Sequence, residues 1–133
     1  MQNVTKILAA AVILTFSTQT YDASAATKIL KHGTITMKQG NRTGLQEIYS
    51  WDDRCKTVRV RVKPRSTPRG KVFVVRDRFV ITKKQSRKCA GKTVSGYRVV
   101  FKALRKGDTM AEYSIRSKNL PHTYVVRRKM QIQ

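Results

Sequence analysis

Lysine and arginine supply 29 of the 133 residues and aspartate and glutamate only 7, a formal net charge of +22. Solubility asks for a magnitude of roughly 2 to 8 in a small domain. The excess therefore points to a polyanionic partner, and it works against a calcium site, which needs clustered carboxylates.

The chain opens with the three parts of an export signal. Residues 1–6 carry one cation, residues 7–16 (ILAAAVILTF) form an apolar run, and Ala23, Ser24 and Ala25 put small residues ahead of a cut before Ala26. As a helix the apolar run reaches only about 15 Å, half the hydrocarbon core of a bilayer, which favours a cleaved signal peptide over 1–25 rather than an anchor. Its loss removes Lys6 and Asp22 together, so the net charge is unchanged. No later stretch is long and apolar enough to span a membrane. Residues 26–133 are expected to be one exported domain, periplasmic or extracellular, and monomeric.

Period two dominates this domain. Residues 34–37 and 45–51 are short strand candidates, and Val58, Val60 and Val62 then alternate with Arg59, Arg61 and Lys63. Residues 72–75 and 79–81 are apolar on both faces and predict two central strands. Tyr97, Val99 and Phe101 alternate with Arg98, Val100 and Lys102, and Ala111, Tyr113 and Ile115 with Glu112, Ser114 and Arg116. Tyr124, Val126, Arg128, Met130 and Ile132 close the series. Turn signals separate these runs at 40–44, 64–70, 90–91, 96, 106–108 and 117–121. About seven short strands with no sustained helical period give an all-β, antiparallel sandwich or barrel.

Cys55 and Cys89 are the only cysteines. In an oxidising compartment they predict one disulfide, worth about 4 kcal/mol for a loop of this length in the chain-entropy model. A zinc site completed by His32 and His122 is disfavoured, because zinc ligands come in close local pairs and these four are scattered.

The segment from Cys89, CAGKTVSGYRVVF, followed by KGDTMAEYSI and the closing YVVRRKMQI, resembles the C-terminal half of bacterial Ig-like, cadherin-like domains. Gly107, Asp108 and Tyr113 match the glycine, aspartate and tyrosine of that family's turn-and-strand motif. Lys102 and Ala103 replace its proline-containing turn, Met110 replaces its aromatic, and Tyr113 falls one place late. The resemblance implies an Ig-like β-sandwich over a barrel, and an adhesive or structural module.

Catalytic groups are sparse. Asp52 and Asp53 are adjacent and read as part of a polar turn, and His32 and His122 read as surface histidines. No glycine-rich phosphate loop and no Gly-x-Ser-x-Gly elbow occurs. A non-enzymatic protein without metal or cofactor is expected.

The cations fall into four groups: Arg59, Arg61 and Lys63 on one strand face; Lys63, Arg65, Arg69 and Lys71 around 64–70; Lys83, Lys84, Arg87 and Lys88 before Cys89; and Arg127, Arg128 and Lys129 in the last strand. Alternation aims Arg128 opposite to its neighbours, leaving Arg127 and Lys129 as the candidates of that group. Arginine offers a planar fork suited to phosphate or carboxylate. Tyr49 and Trp51 are candidate stacking residues for a ligand. The leading expectation is a binding module for an anionic macromolecule such as an acidic glycan, lipopolysaccharide, acidic protein or nucleic acid. The alternatives are a secreted effector acting on a host acidic protein or nucleic acid, and an inhibitor of a secreted enzyme.

Overall fold

The computed structural model describes residues 27–65 and 67–133, and the expected signal peptide lies outside the described residues. The strands are β1 (Thr27–Met37), β2 (Arg42–Tyr49), β3 (Val60–Pro64), β4 (Gly70–Val80), β5 (Thr93–Ala103), β6 (Gly107–Ser117) and β7 (Thr123–Ile132). No helix occurs among the described residues. Two sheets form, ordered β1-β7-β6-β3 and β2-β5-β4. The second, third and following strands divide between the sheets as in an immunoglobulin sandwich, so the protein is an Ig-like β-sandwich. One pairing departs from the antiparallel expectation: β1 runs parallel to β7, with Leu30 beside Val126 and Met37 beside Ile132.

The alternating runs supply the layer between the sheets. Val99, Phe101 and Ala103 of β5 meet Ala111, Tyr113 and Ile115 of β6 and Tyr124, Val126, Met130 and Ile132 of β7 in one buried cluster. A fully buried Val, Ile or Phe contributes about 1.5–3 kcal/mol relative to exposure. The two central strands expected at 72–75 and 79–81 are instead one strand, β4, at the edge of its sheet. Arg76, Asp77 and Arg78 keep the ladder unbroken by pairing with Tyr97, Gly96 and Ser95. The apolar residues on the second face of β4 have separate uses. Phe73 carries cations over its ring, and Phe79 belongs to a second core.

That second core joins Tyr49, Trp51, Phe79, Ile81, Cys89 and Val94. Ile48 faces the main core, so Tyr49 must face the other way, and the second cluster covers the outer side of β2-β5-β4. The loop 81–92 lies over it. The Tyr49 ring stacks on Phe79 with centroids 4.4 Å apart and planes 6° from parallel. Gln85 Nε2 donates to the Tyr49 hydroxyl at 2.7 Å, tying the loop to the stack. The backbone beneath has no room for a side chain: a Cβ on Gly96 would stand 2.4 Å from the Ile48 carbonyl oxygen and 2.6 Å from Tyr49 Cβ. Cys55 and Cys89 form the expected disulfide, joining 50–59 to the loop. Such a cross-link persists in an oxidising compartment and fits an exported protein.

Candidate anion-binding surfaces

The carboxylates are few and mostly engaged. Glu47 and Asp77 both bind Arg98, at 2.7 and 2.8 Å, and the Arg98 hydrogen bond holds the Asp77 carboxyl below its usual range. Glu112 accepts from Arg127 at 2.9 Å and has Arg65 at 3.4 Å. Asp52 Oδ1 accepts from the backbone N–H groups of Arg54 and Lys56, at 2.9 and 3.0 Å, and the Lys56 bond leads in lowering its pKa. Those bonds shape the turn in which Cys55 takes a left-handed φ of 64°. Salt bridges engage Arg65, Arg98 and Arg127, and most of the other cations among the described residues are exposed.

One concentration of like charge lies where β3 meets β6. In that ladder Arg61 stands directly opposite Arg116, and Val62 opposite Ile115. Val62 and Ile115 pack in the core, so both arginines project from the outer face of β1-β7-β6-β3. Arg59, Arg61, Arg116, Ser117 and Lys118 line an open groove of about 370 Å³ with no carboxylate in its wall. Ser117 holds the rim by donating from Oγ to the Arg59 carbonyl at 3.2 Å and accepting from the Asn119 N–H at 3.3 Å. Like charges directly opposite on a sheet are destabilising.

The structure separates several cations that look grouped in the sequence. Lys63 and Arg65 lie beside Glu112 on the outer face, whereas Arg69, past the turn, donates to the Lys106 carbonyl at 2.7 Å. Lys71 faces Lys102 across β4 and β5. Lys83, Lys84, Arg87 and Lys88 are exposed on the loop over the second core. Arg127 is taken up by Glu112, Lys129 is exposed opposite Met110, and Arg128 lies across from Ala111 and turns inward.

Three sequence expectations are corrected. Tyr49 and Trp51 are 4% and 0% exposed, so a ligand cannot stack on them: they pack in one cluster with Phe79, Ile81, Cys89 and Val94. His122 is 7% exposed and meets Tyr124 edge-on at 6.0 Å, which makes it a packing residue rather than a surface one. His32 is half-buried beside Arg128, and burial first, then the Arg128 charge, hold its pKa below 6.5. No three of His, Cys, Asp and Glu converge among the described residues.

Arg116, Lys118, Arg42 and Lys102 were not among the expected site residues. Arg116, Arg42 and Lys102 sit far along the chain from the cations they join, and only the pairing of strands brings them together, while Lys118 follows β6 at the rim of the groove.

No protein-family model and no curated protein matches the chain. Among solved structures it is similar to amebosin, at TM-score 0.48 and 13% identity, over 80% of this chain and 98% of that one. It is similar to the cysteine protease inhibitor EhICP2 from Entamoeba histolytica, at TM-score 0.43 and 10% identity, over 80% and 96%. It is also similar to domains 4 and 5 of the S-layer protein SbsC, at TM-score 0.40 and 16% identity, over 76% of this chain and 47% of that one. These likenesses are distant, and the fold rests on the strand order and register described above.

Proposed function

We propose that the protein is a non-enzymatic binding module that holds an anionic macromolecule outside the cytoplasm through the β3–β6 groove. The observation that carries this reading is the Arg61–Arg116 pair, two guanidinium groups set opposite each other with Arg59 and Lys118 beside them and no carboxylate in the groove. Arg61 and Arg116 supply the forks for phosphate, sulfate or carboxylate, and Arg59 and Lys118 widen the positive field. The bacterial Ig-like resemblance of the segment from Cys89 onward supports an adhesive or structural role of this kind.

Immobilised heparin and lipopolysaccharide serve as probes. Reversing Arg61 and Arg116 to Glu is expected to weaken binding far more than reversing Lys83 and Lys84 on the loop. The opposite order would move the site to the loop and overturn the assignment.

Inhibition of a secreted enzyme is a second reading, and one feature favours it. The disulfide pins 50–59 to 81–92, and Ser117 fastens the start of 118–122 to Arg59, so three loops at one end form a preorganised rim. Inhibition of a secreted hydrolase that survives the Arg61 and Arg116 reversals but is lost on reduction would favour that reading.

A further inference from the structure

The outer face of β2-β5-β4 carries a second set of cations at the far end of the sandwich. Arg42 of β2 pairs with Lys102 of β5, and Lys102 pairs with Lys71 of β4, so three cations occupy a single rung across three adjacent strands. Adjacent strands lie about 4.8 Å apart, which sets the rung's charges within roughly 10 Å of backbone. One rung inward, Phe73 stands opposite Val100. The Lys71 ammonium and the Arg42 guanidinium lie 5.1 and 5.6 Å from the centre of its ring. Beyond it Val75 is 49% exposed. Arg98 opposite Val75 already has its two carboxylates, so among the strand residues of this face the uncompensated charge is concentrated in the Arg42–Lys102–Lys71 rung, apart from the loop cations at the other end.

The loops at this end add charge of the same sign. Arg69 and Arg105 are held in place by the carbonyls of Lys106 and Pro68, at 2.7 and 3.0 Å. Gly107 allows that packing, since at its φ of 122° a Cβ would stand 2.9 Å from the Arg69 guanidinium. Residues 38–42, 67–73 and 100–107 contain no Asp or Glu.

We infer that this face is a second binding surface, and that its ligand is an acidic glycan: a chain of sugar rings bearing carboxylate or sulfate groups. This rests on the polyanion reading above and adds both a site and a ligand class. A sugar ring offers an apolar C–H face to Phe73, Val75 and Val100 and anionic substituents to Arg42, Lys102 and Lys71. Sequence-tolerant binding of single-stranded nucleic acid stacks successive bases on a series of aromatic side chains. Here the outer face presents one ring, because Tyr49 and Phe79 are buried under the loop.

The two surfaces lie on opposite sheets and near opposite ends. Eleven-residue β6 runs from Gly107 at the rung's end to Ser117 at the groove, on the order of 35 Å of strand at about 3.3 Å per residue. One protein molecule thus has two sites that a short oligosaccharide cannot span, and it joins two long glycan chains together.

The test is calorimetric titration with a heparin tetrasaccharide, and with single-stranded DNA of matched charge, on the wild-type domain and two double variants. Wild type is expected to bind two tetrasaccharides. Lys71→Glu with Lys102→Glu should leave one site, in the groove, and Arg61→Glu with Arg116→Glu should leave one site, on the rung. Phe73→Leu, which keeps apolar volume, should weaken the rung site several-fold without changing its salt dependence. A stoichiometry of one that the Lys71 and Lys102 reversals leave intact would overturn the second surface while sparing the groove. Loss of all binding in the Arg61 and Arg116 variant would also overturn it, and equal binding of the DNA, equally sensitive to Phe73, would overturn the ligand class. No tetrasaccharide binding by any folded form would instead count against both readings.

Discussion

Arg61 and Arg116 face each other across the β3–β6 ladder with no carboxylate in the groove they line. A like-charge pair in register opposes folding and favours anion binding at the same time. The two effects therefore separate under mutation. Arg116→Gln should raise unfolding free energy by about 0.2–1 kcal/mol at low salt while weakening polyanion binding. Chemical denaturation paired with heparin affinity reads both. A variant that lost stability would show that the pair is compensated by a partner.

The Cys55–Cys89 bond joins the Cys55 turn to the loop that covers Tyr49, Trp51 and Phe79. Cys55→Ser with Cys89→Ser should lower Tm by roughly 10 °C or more, following a loss of about 4 kcal/mol. Tryptophan fluorescence should shift to the red, because Trp51 lies in the cluster the loop covers. An unchanged transition in a verified double variant would remove the structural role of the bond.

Gly96→Ala places a methyl group against the Ile48 carbonyl oxygen and Tyr49 Cβ, both closer than van der Waals contact. Backbone gives way poorly, so β2 must move from β5. A destabilisation of about 1–3 kcal/mol is expected, with loss of the near-UV signal of the Tyr49–Phe79 stack. Wild-type stability would mean that the strand spacing is softer than the packing implies.

His32 has a folded pKa below 6.5, lowered by burial and by Arg128. The unfolded chain then binds the proton more readily, so the stability linked to this group is complete above pH 6.5 and falls as the pH drops through the folded pKa. Melting temperatures measured downward from about pH 7.5 should decline more steeply in wild type than in His32→Gln. Parallel curves for the two proteins would show that other groups govern this range.

The inner faces of the sandwich were legible, because Ala111, Tyr113 and Ile115 alternate strictly with polar residues, Tyr124, Val126, Met130 and Ile132 recur at period two, and both sets pack in the core as that pattern requires. β4 was harder to read. Its second apolar face suggests burial between two strands, but Phe79 is covered by a loop and Phe73 stays partly exposed with two cations against its ring. Tyr49 and Trp51 sit next to a polar turn and resemble exposed aromatics until the loop folds over them. The cationic sites were half legible. Arg59 and Arg61 are visible as one strand face, but Arg116 joins them only through the register of β6, which depends on the order of strands rather than on any local pattern.

The salt dependence of heparin affinity tests electrostatic association at the groove most directly. Dissociation constants for the wild-type domain and for Arg61→Glu with Arg116→Glu should be measured between roughly 50 and 500 mM salt, a span that shortens the Debye length about threefold. Wild-type affinity should fall steeply and linearly in log–log form, and the variant should show a shallower slope, because fewer condensed counterions are released on binding. A flat wild-type profile, or identical slopes for the two proteins, would contradict the assignment of the groove as a polyanion site.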